Sequence, residues 1–188
     1  WAAISSGDLF PPYYTNLLRI ATLFGCRTQE ARLSEWGEWD MEAWVWTVPK
    51  AHSKGGEKIV RPVPEAMRSF IEMLHDETKS SGYLLGVVKN SEAVSQWGRS
   101  VYKKLGHSEP WTLHDLRRTL ATHMNNMGIA PHVVEQLLGH SMPGVMAIYN
   151  RSLYLPEKLD ALNKWYERLE LLAGNHQNVV LLPVANRD

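Results

Sequence analysis

The feature that most constrains this chain is a change of period. Apolar residues recur at helical spacing along most of its length and at strand spacing in one short stretch. Leu17, Leu18, Ala21 and Phe24 set a helical stripe over residues 9–24, which Gly25 stops. Thr28 opens a second, short helix through Ser34. Trp36 to Trp39 then leads into residues 42–48, where Trp44, Trp46 and Val48 fall on one face at period two. Residues 52–56 (HSKGG) read as a turn and residues 58–63 alternate again, which predicts a β-hairpin. Helical spacing returns after it. Pro64 suits the first turn of a helix to about Glu77. Residues 83–85 read as a short buried strand, and Ser91 caps a helix to about Leu105. Thr112 and Asp115 make a capping box for a helix to Met127, with Leu113, Leu116, Leu120, Met124 and Met127 inward and Gly128 as its stop. Further helices are expected at residues 131–139, at about 143–151, and from Pro156, the last with Leu159, Leu162, Trp165, Tyr166 and Leu169 inward. Residues 178–184 (NVVLLPV) read as a lone strand. The expected fold class is α+β, mainly helical, with a small antiparallel sheet on one edge.

Composition narrows the function classes. The 188 residues, 44% hydrophobic and 21% charged, suffice for one domain with its own core. The single cysteine, Cys26, excludes an internal disulfide framework and any multi-thiolate metal site, and reads as a small buried apolar residue. No apolar run approaches the ~20 residues of a membrane span and no signal segment opens the chain, so no membrane partner and a cytoplasmic location are expected. Residue 1 is Trp rather than Met, so a piece of a longer protein is expected. Lys plus Arg equals Asp plus Glu at 20 each, which argues mildly against a bulk nucleic-acid binder. The charges are nevertheless segregated. Lys50, Lys54, Lys58, Arg61 and Arg68 crowd one stretch, and Arg99, Lys103, Lys104, Arg117 and Arg118 another, while Glu30, Glu35, Glu38, Asp40 and Glu42 crowd a third. Two basic patches are thereby available to a polyanion. The tryptophans at 36, 39, 44 and 46 read as sheet core rather than a base-stacking platform.

Four pieces carry chemistry. Arg27 stands where one helix stops and the next begins, and Lys54 stands in the hairpin turn. His114 and Arg117 lie three apart on one helical face. Leu138-Gly139-His140 is followed nine residues later by Tyr149. Two fork-shaped guanidiniums suit the non-bridging oxygens of a phosphodiester. Imidazoles donate to the same phosphate or move a proton near neutral pH. A lysine on a turn can protonate a leaving oxygen. A phenol, weak as a nucleophile at its reference pKa of ~10, is activated by nearby cations. Its attack on phosphorus exchanges one ester for another, a nearly balanced step that needs no ATP. No metal is required where arginines stabilise the transition-state charge.

This set, in this order and spacing, resembles the catalytic domain of tyrosine recombinases, the phage integrase family. The likeness covers roughly residues 9–170 and is strongest over residues 112–149 (TLHDLRRTLATHMNNMGIAPHVVEQLLGHSMPGVMAIY), close to integrases of temperate phages and genomic islands. The resemblance implies that Arg27, Lys54, His114, Arg117, His140 and Tyr149 are catalytic, with Glu30 orienting Arg27 and Tyr149 the nucleophile. Lys50, Lys58, Arg99, Lys103 and Arg118 are expected to meet DNA. It implies cleavage to a 3′-phosphotyrosine without cofactor, on double-stranded attachment sites, by a homotetramer, with possible accessory DNA-bending proteins and a nucleoid location on DNA. Residues 1–173 would be the catalytic domain and residues 174–188 a tail packing on a neighbouring protomer, with N-terminal DNA-binding domains absent from this piece. Lys50 and Lys58 compete with Lys54 for the acid role.

Other readings are weaker. Gly139-His140-Ser141-Met142 begins like a nucleophile elbow, but Pro143 replaces the final glycine and a helix rather than a strand precedes it. Histidines at 107, 114, 123, 132 and 140 show no metal-ligand spacing. A non-catalytic DNA-binding module on the same fold, or a type IB topoisomerase-like strand transferase, are the nearer alternatives.

Overall fold

A computed structural model describes residues 1–5, 9–140 and 153–174. The helix expected at about 143–151, the strand at 178–184 and Tyr149 lie outside the described residues. In chain order the elements are α1 (Ala2–Ser5), α2 (Pro12–Phe24), α3 (Thr28–Leu33), a 3-10 turn (Trp36–Glu38), β1 (Trp39–Asp40), β2 (Val45–Val48), β3 (Ile59–Pro62), α4 (Glu65–Thr78), α5 (Ser91–Gly98), α6 (Val101–Lys104), α7 (Leu113–Asn126), α8 (Pro131–Leu138) and α9 (Leu155–Leu172). The fold class is as the sequence predicts: helices with one three-stranded antiparallel sheet, ordered β1-β2-β3. None of the described helices is long and apolar enough to cross a membrane.

Helix α2 is the axis of the core. Leu17, Leu18, Ile20, Leu23 and Phe24 are all buried, and so are Thr15 and Thr22 on its other sides. A helix covered all round needs internal partners for its polar groups. The Thr15 hydroxyl donates to the Phe10 carbonyl at 3.0 Å, and the Trp165 indole of α9 donates to the Thr22 carbonyl at 2.8 Å. Helices α7 and α9 pack on α2, and α8 packs on α7, α9 and β3. The sheet closes the opposite edge. Trp39 pairs with Trp46 across β1 and β2, their rings stacked 4.8 Å apart, and the Phe24 ring meets Trp46 edge-on.

Several boundaries differ from expectation, each for a local reason. Helix α2 begins at Pro12 rather than Leu9, because Pro11 and Pro12 lack the N–H that a preceding turn would use. Pro64 caps α4 instead of lying in its first turn. Asn90, not Ser91, caps α5, its side-chain oxygen accepting the Glu92 N–H at 2.7 Å. The helix expected to run to Leu105 breaks after Gly98. There Leu113 packs so closely that a Cβ on Gly98 would lie 2.7 Å from its Cγ, and the Ser100 hydroxyl takes the Trp97 carbonyl. Trp44 leaves the strand face assigned to it: at φ 54° it ends the turn before β2, half-buried. Residues 83–85 make a single bridge, Tyr83 to Glu35, rather than a strand, though Leu84 and Leu85 are buried. β3 does not alternate. All four of its residues are buried, because α8 and α9 cover what would otherwise be its solvent face. Leu159 and Tyr166 of α9 are half-buried, while Lys158 is buried at 2% exposure.

Candidate active site

Arg117 is the best-fixed of the predicted residues. The start of α7 is set by Asp115, whose carboxylate accepts the Thr112 N–H and hydroxyl, both at 2.8 Å. The same bonds hold the Asp115 carboxyl below its ordinary value. This start leaves His114 exposed and turns Arg117 inward to 3% exposure. Arg117 Nη1 donates to the Gly25 carbonyl at 2.9 Å, and Nη2 donates to the Leu138 carbonyl at 2.5 Å. Gly25 and Gly139 end α2 and α8 in the left-handed conformation, at φ 58° and 66°. One guanidinium therefore joins the C-terminal ends of two helices, where a cation is favoured.

Nη2 of Arg117 also lies 2.8 Å from His140 Nε2. An arginine only donates, so Nε2 accepts and the imidazole proton sits on Nδ1, which faces Glu135 Oε2 at 2.5 Å. Burial, and then the charge of Arg27, push the Arg117 guanidinium down to about 10, still far above neutral pH.

Arg27 caps α3 with extended backbone, and its Nη1 lies 3.3 Å from Glu30 Oε1. Glu30 has no exposure and divides its oxygens between two arginines, Oε2 accepting from Arg61 Nη2 at 2.7 Å. The Arg27 side chain keeps 21% exposure and lines an open cavity of about 400 Å³ with Lys54, Ser95, Arg99, Thr112 and His114. Burial first, then the charges of Arg117, Arg118 and Arg27, push the His114 imidazole below the ordinary histidine value, against an upward pull from Asp115. This bias favours the neutral imidazole, the form able to accept a proton.

The hairpin brings Lys54 to this cavity. Its base is fixed: His52 Nδ1 meets Glu38 Oε1 at 2.5 Å, while Glu38 Oε2 accepts from Ser34 and the Trp46 indole. Its tip is exposed, and Lys54 has no hydrogen-bond partner among the described residues. The tip still lies beside the end of α8, since a Cβ on Gly55 would stand 3.7 Å from the Gly139 carbonyl.

The predicted residues that are described fall in two adjoining groups: Arg27, Lys54 and His114 on the cavity with buried Glu30 behind Arg27, and Arg117 with His140 at the ends of α2 and α8. Of the cations expected to meet DNA, Arg99 lines the cavity, and Lys58 and Lys103 are exposed. Lys50 pairs with Glu57 at 3.6 Å, and Arg118 with Asp115 at 3.2 Å. Arg61, counted with a surface patch, is a correction: it is fully buried. Sequence reading missed it and Lys158, whose Nζ donates to the Val60 carbonyl at 3.0 Å. No local sequence signal marks either one. Cys26 is buried as expected, its thiol pushed up to about 12 chiefly by burial.

The Phage integrase family model matches residues 5–155. The integrase of Shigella phage Sf6 is 25% identical over 172 residues, which is 89% of this chain and 44% of that protein. The solved integrase from mycobacterium phage Brujita superposes with a TM-score of 0.63 at 15% identity, covering 83% of this chain and 52% of that one. The Tn1549 transposon integrase in complex with transposon right end DNA gives a TM-score of 0.57 at 20% identity, covering 89% of this chain and 62% of that one. The chain spans less than half the length of the curated relatives it matches. The structural likenesses carry the fold. The family match over residues 5–155 carries the kinship: the chain belongs to the phage integrase family of tyrosine recombinases.

Proposed function

We propose that residues 1–173 are the catalytic part of a site-specific recombinase that cuts and rejoins double-stranded DNA attachment sites, integrating or excising mobile DNA. The observation that carries the reading is the placement of Arg117, a buried cation fixed to two helix ends and touching His140, next to a cavity lined by Arg27, Lys54 and His114. A DNA-bound integrase of the same fold supports DNA as the substrate.

The chemistry follows from these groups. A scissile phosphate seated by Arg27 and Arg117 has its growing negative charge met by cations that do not reorganise. Tyr149 Oη attacks phosphorus, and neutral His114 takes the phenolic proton. The bond from phosphorus to the 5′-oxygen breaks, and Lys54 Nζ gives that oxygen a proton. The product is a 3′-phosphotyrosine and a free 5′-hydroxyl. Attack by another strand's 5′-hydroxyl reverses the step and exchanges strands. His140 holds Arg117 toward the phosphate by accepting from its Nη2, and Glu30 aims Arg27. Lys50, Lys58, Arg99, Lys103 and Arg118 meet the flanking backbone. The working form is a homotetramer on DNA in the cytoplasm, with accessory bending proteins where sites require them, and residues 174–188 reach a neighbouring protomer.

Full-length protein incubated with a nicked suicide substrate is expected to give a covalent adduct resistant to denaturant, and Tyr149→Phe none. An adduct of normal yield from Tyr149→Phe, or none from the parent, refutes the reading. A parent that binds DNA without an adduct points to a non-catalytic module.

A further inference from the structure

Arg61 has no solvent exposure, yet three elements meet on it. From β3, its Nη2 donates to Glu30 Oε2 of α3 at 2.7 Å and its Nε donates to the Leu137 carbonyl of α8 at 2.8 Å. Its guanidinium carbon stands 4.9 Å from the ring centroid of Trp46 in β2. Its Nη1 is buried without a hydrogen-bond partner among the described residues. Stability is a poor reason for a charge in this place. A buried ion pair barely outweighs its own desolvation, and apolar residues of similar volume often do as well or better.

What Arg61 touches suggests another reason. The second oxygen of Glu30 reaches Arg27, at the wall of the cavity. Leu137 precedes Leu138, whose carbonyl holds Arg117, and His140 follows two residues on. One buried fork is thus joined to the supports of both guanidiniums.

We infer that Arg61 is a positioning residue for strand transfer, aiming Arg27 through Glu30 and the Arg117–His140 pair through the end of α8. The inference rests on the function proposed above. Without Arg61, Glu30 keeps Arg27 as its one remaining side-chain partner among the described residues and draws that guanidinium off the cavity. The end of α8 loses a donor at Leu137 and shifts under Arg117.

The test compares full-length parent and Arg61→Met on two nicked suicide DNAs. One has an ordinary scissile phosphodiester. The other has a methylphosphonate there, which carries one negative charge fewer and leans less on the guanidiniums. Misaimed arginines predict a loss of about 100-fold on the diester, the scale of a 1 Å misplacement, and recovery of most of it on the methylphosphonate. Equal losses on both substrates indicate a general structural defect and overturn the inference. Should Arg61→Met fail to fold, Arg61→Lys gives the same measurement. It keeps the buried charge but lacks the fork that spans Glu30 and Leu137, so the same selectivity is expected. Equal losses there overturn the inference as well. Parental adduct formation separates the two levels: its absence defeats the proposed function, whereas a parental adduct with unselective loss defeats only the role of Arg61.

Discussion

Arg117 and Lys54 are assigned to the same phosphate, and the fold holds them in opposite ways. Arg117 is 3% exposed and donates to the carbonyls of Gly25 and Leu138, so its fork is set before any substrate arrives. Lys54 stands on an exposed hairpin tip whose base alone is fixed, by His52 on Glu38. The difference suits the work proposed for each group. Charge stabilisation is strongest when the dipoles and charges need no reorganisation. A proton donor must instead follow a leaving oxygen that moves, and a lysine stem on a turn supplies that reach. Burial of the first and exposure of the second suit the proposed handling of one diester.

Removing Arg117 should break this arrangement most deeply. Arg117→Ala is expected to lower DNA cleavage by about 1,000-fold or more. It should also lower thermal stability, because two buried carbonyls each lose a donor at about 1–3 kcal/mol. Arg117→Lys should recover little of the rate, since an ammonium cannot span both helix ends. Single-turnover cleavage with a parallel thermal melt checks both effects. Rates within threefold of the parent would contradict the role.

Lys54→Ala should separate chemistry from stability. A loss of about 100-fold in cleavage is expected, with unfolding within about 0.5 kcal/mol of the parent because the site is exposed. Replacing the 5′-bridging oxygen by sulfur, which leaves without a proton, should restore the rate. Absence of selective recovery would move the acid role to Lys50, Lys58 or water.

The smallest effect concerns Lys158, the third cation under the site. Burial first, and then Arg61, push its ammonium down to about 8. The unfolded chain keeps that proton up to its ordinary value near ~10.4. Between these two values the unfolded state binds more protons, so stability should rise with pH across that window. The contribution is on the order of 3 kcal/mol. Below about 8 both states are protonated and the contribution is constant. Urea unfolding at several pH values from neutral to strongly alkaline should show this rise in the parent and a flatter profile in Lys158→Met. Equal slopes would contradict a depressed lysine.

Much of the fold was legible because local signals agreed with tertiary structure. Gly25 and Gly139 end helices in the conformation glycine favours, and Asp115 sets the start of α7 as its spacing from Thr112 suggests. The expected site residues were picked out by their spacing along the chain rather than by any local pattern. What escaped was set by distant contacts. The burial of all four β3 residues depends on α8 and α9, and the break after Gly98 depends on Leu113. Arg61 and Lys158 look like surface cations in the sequence because their partners, Glu30 with Leu137 and the Val60 carbonyl, stand 31, 76 and 98 residues away.

The central claim is that this pre-set cationic cradle serves one phenol. Proteolysis of the protein–DNA adduct followed by mass spectrometry tests it most directly. The account predicts a nucleotide-bearing peptide modified at Tyr149 through a 3′-phosphate, and at no other residue. Modification at Tyr154 or at any other side chain, or attachment through a 5′-phosphate, would contradict it.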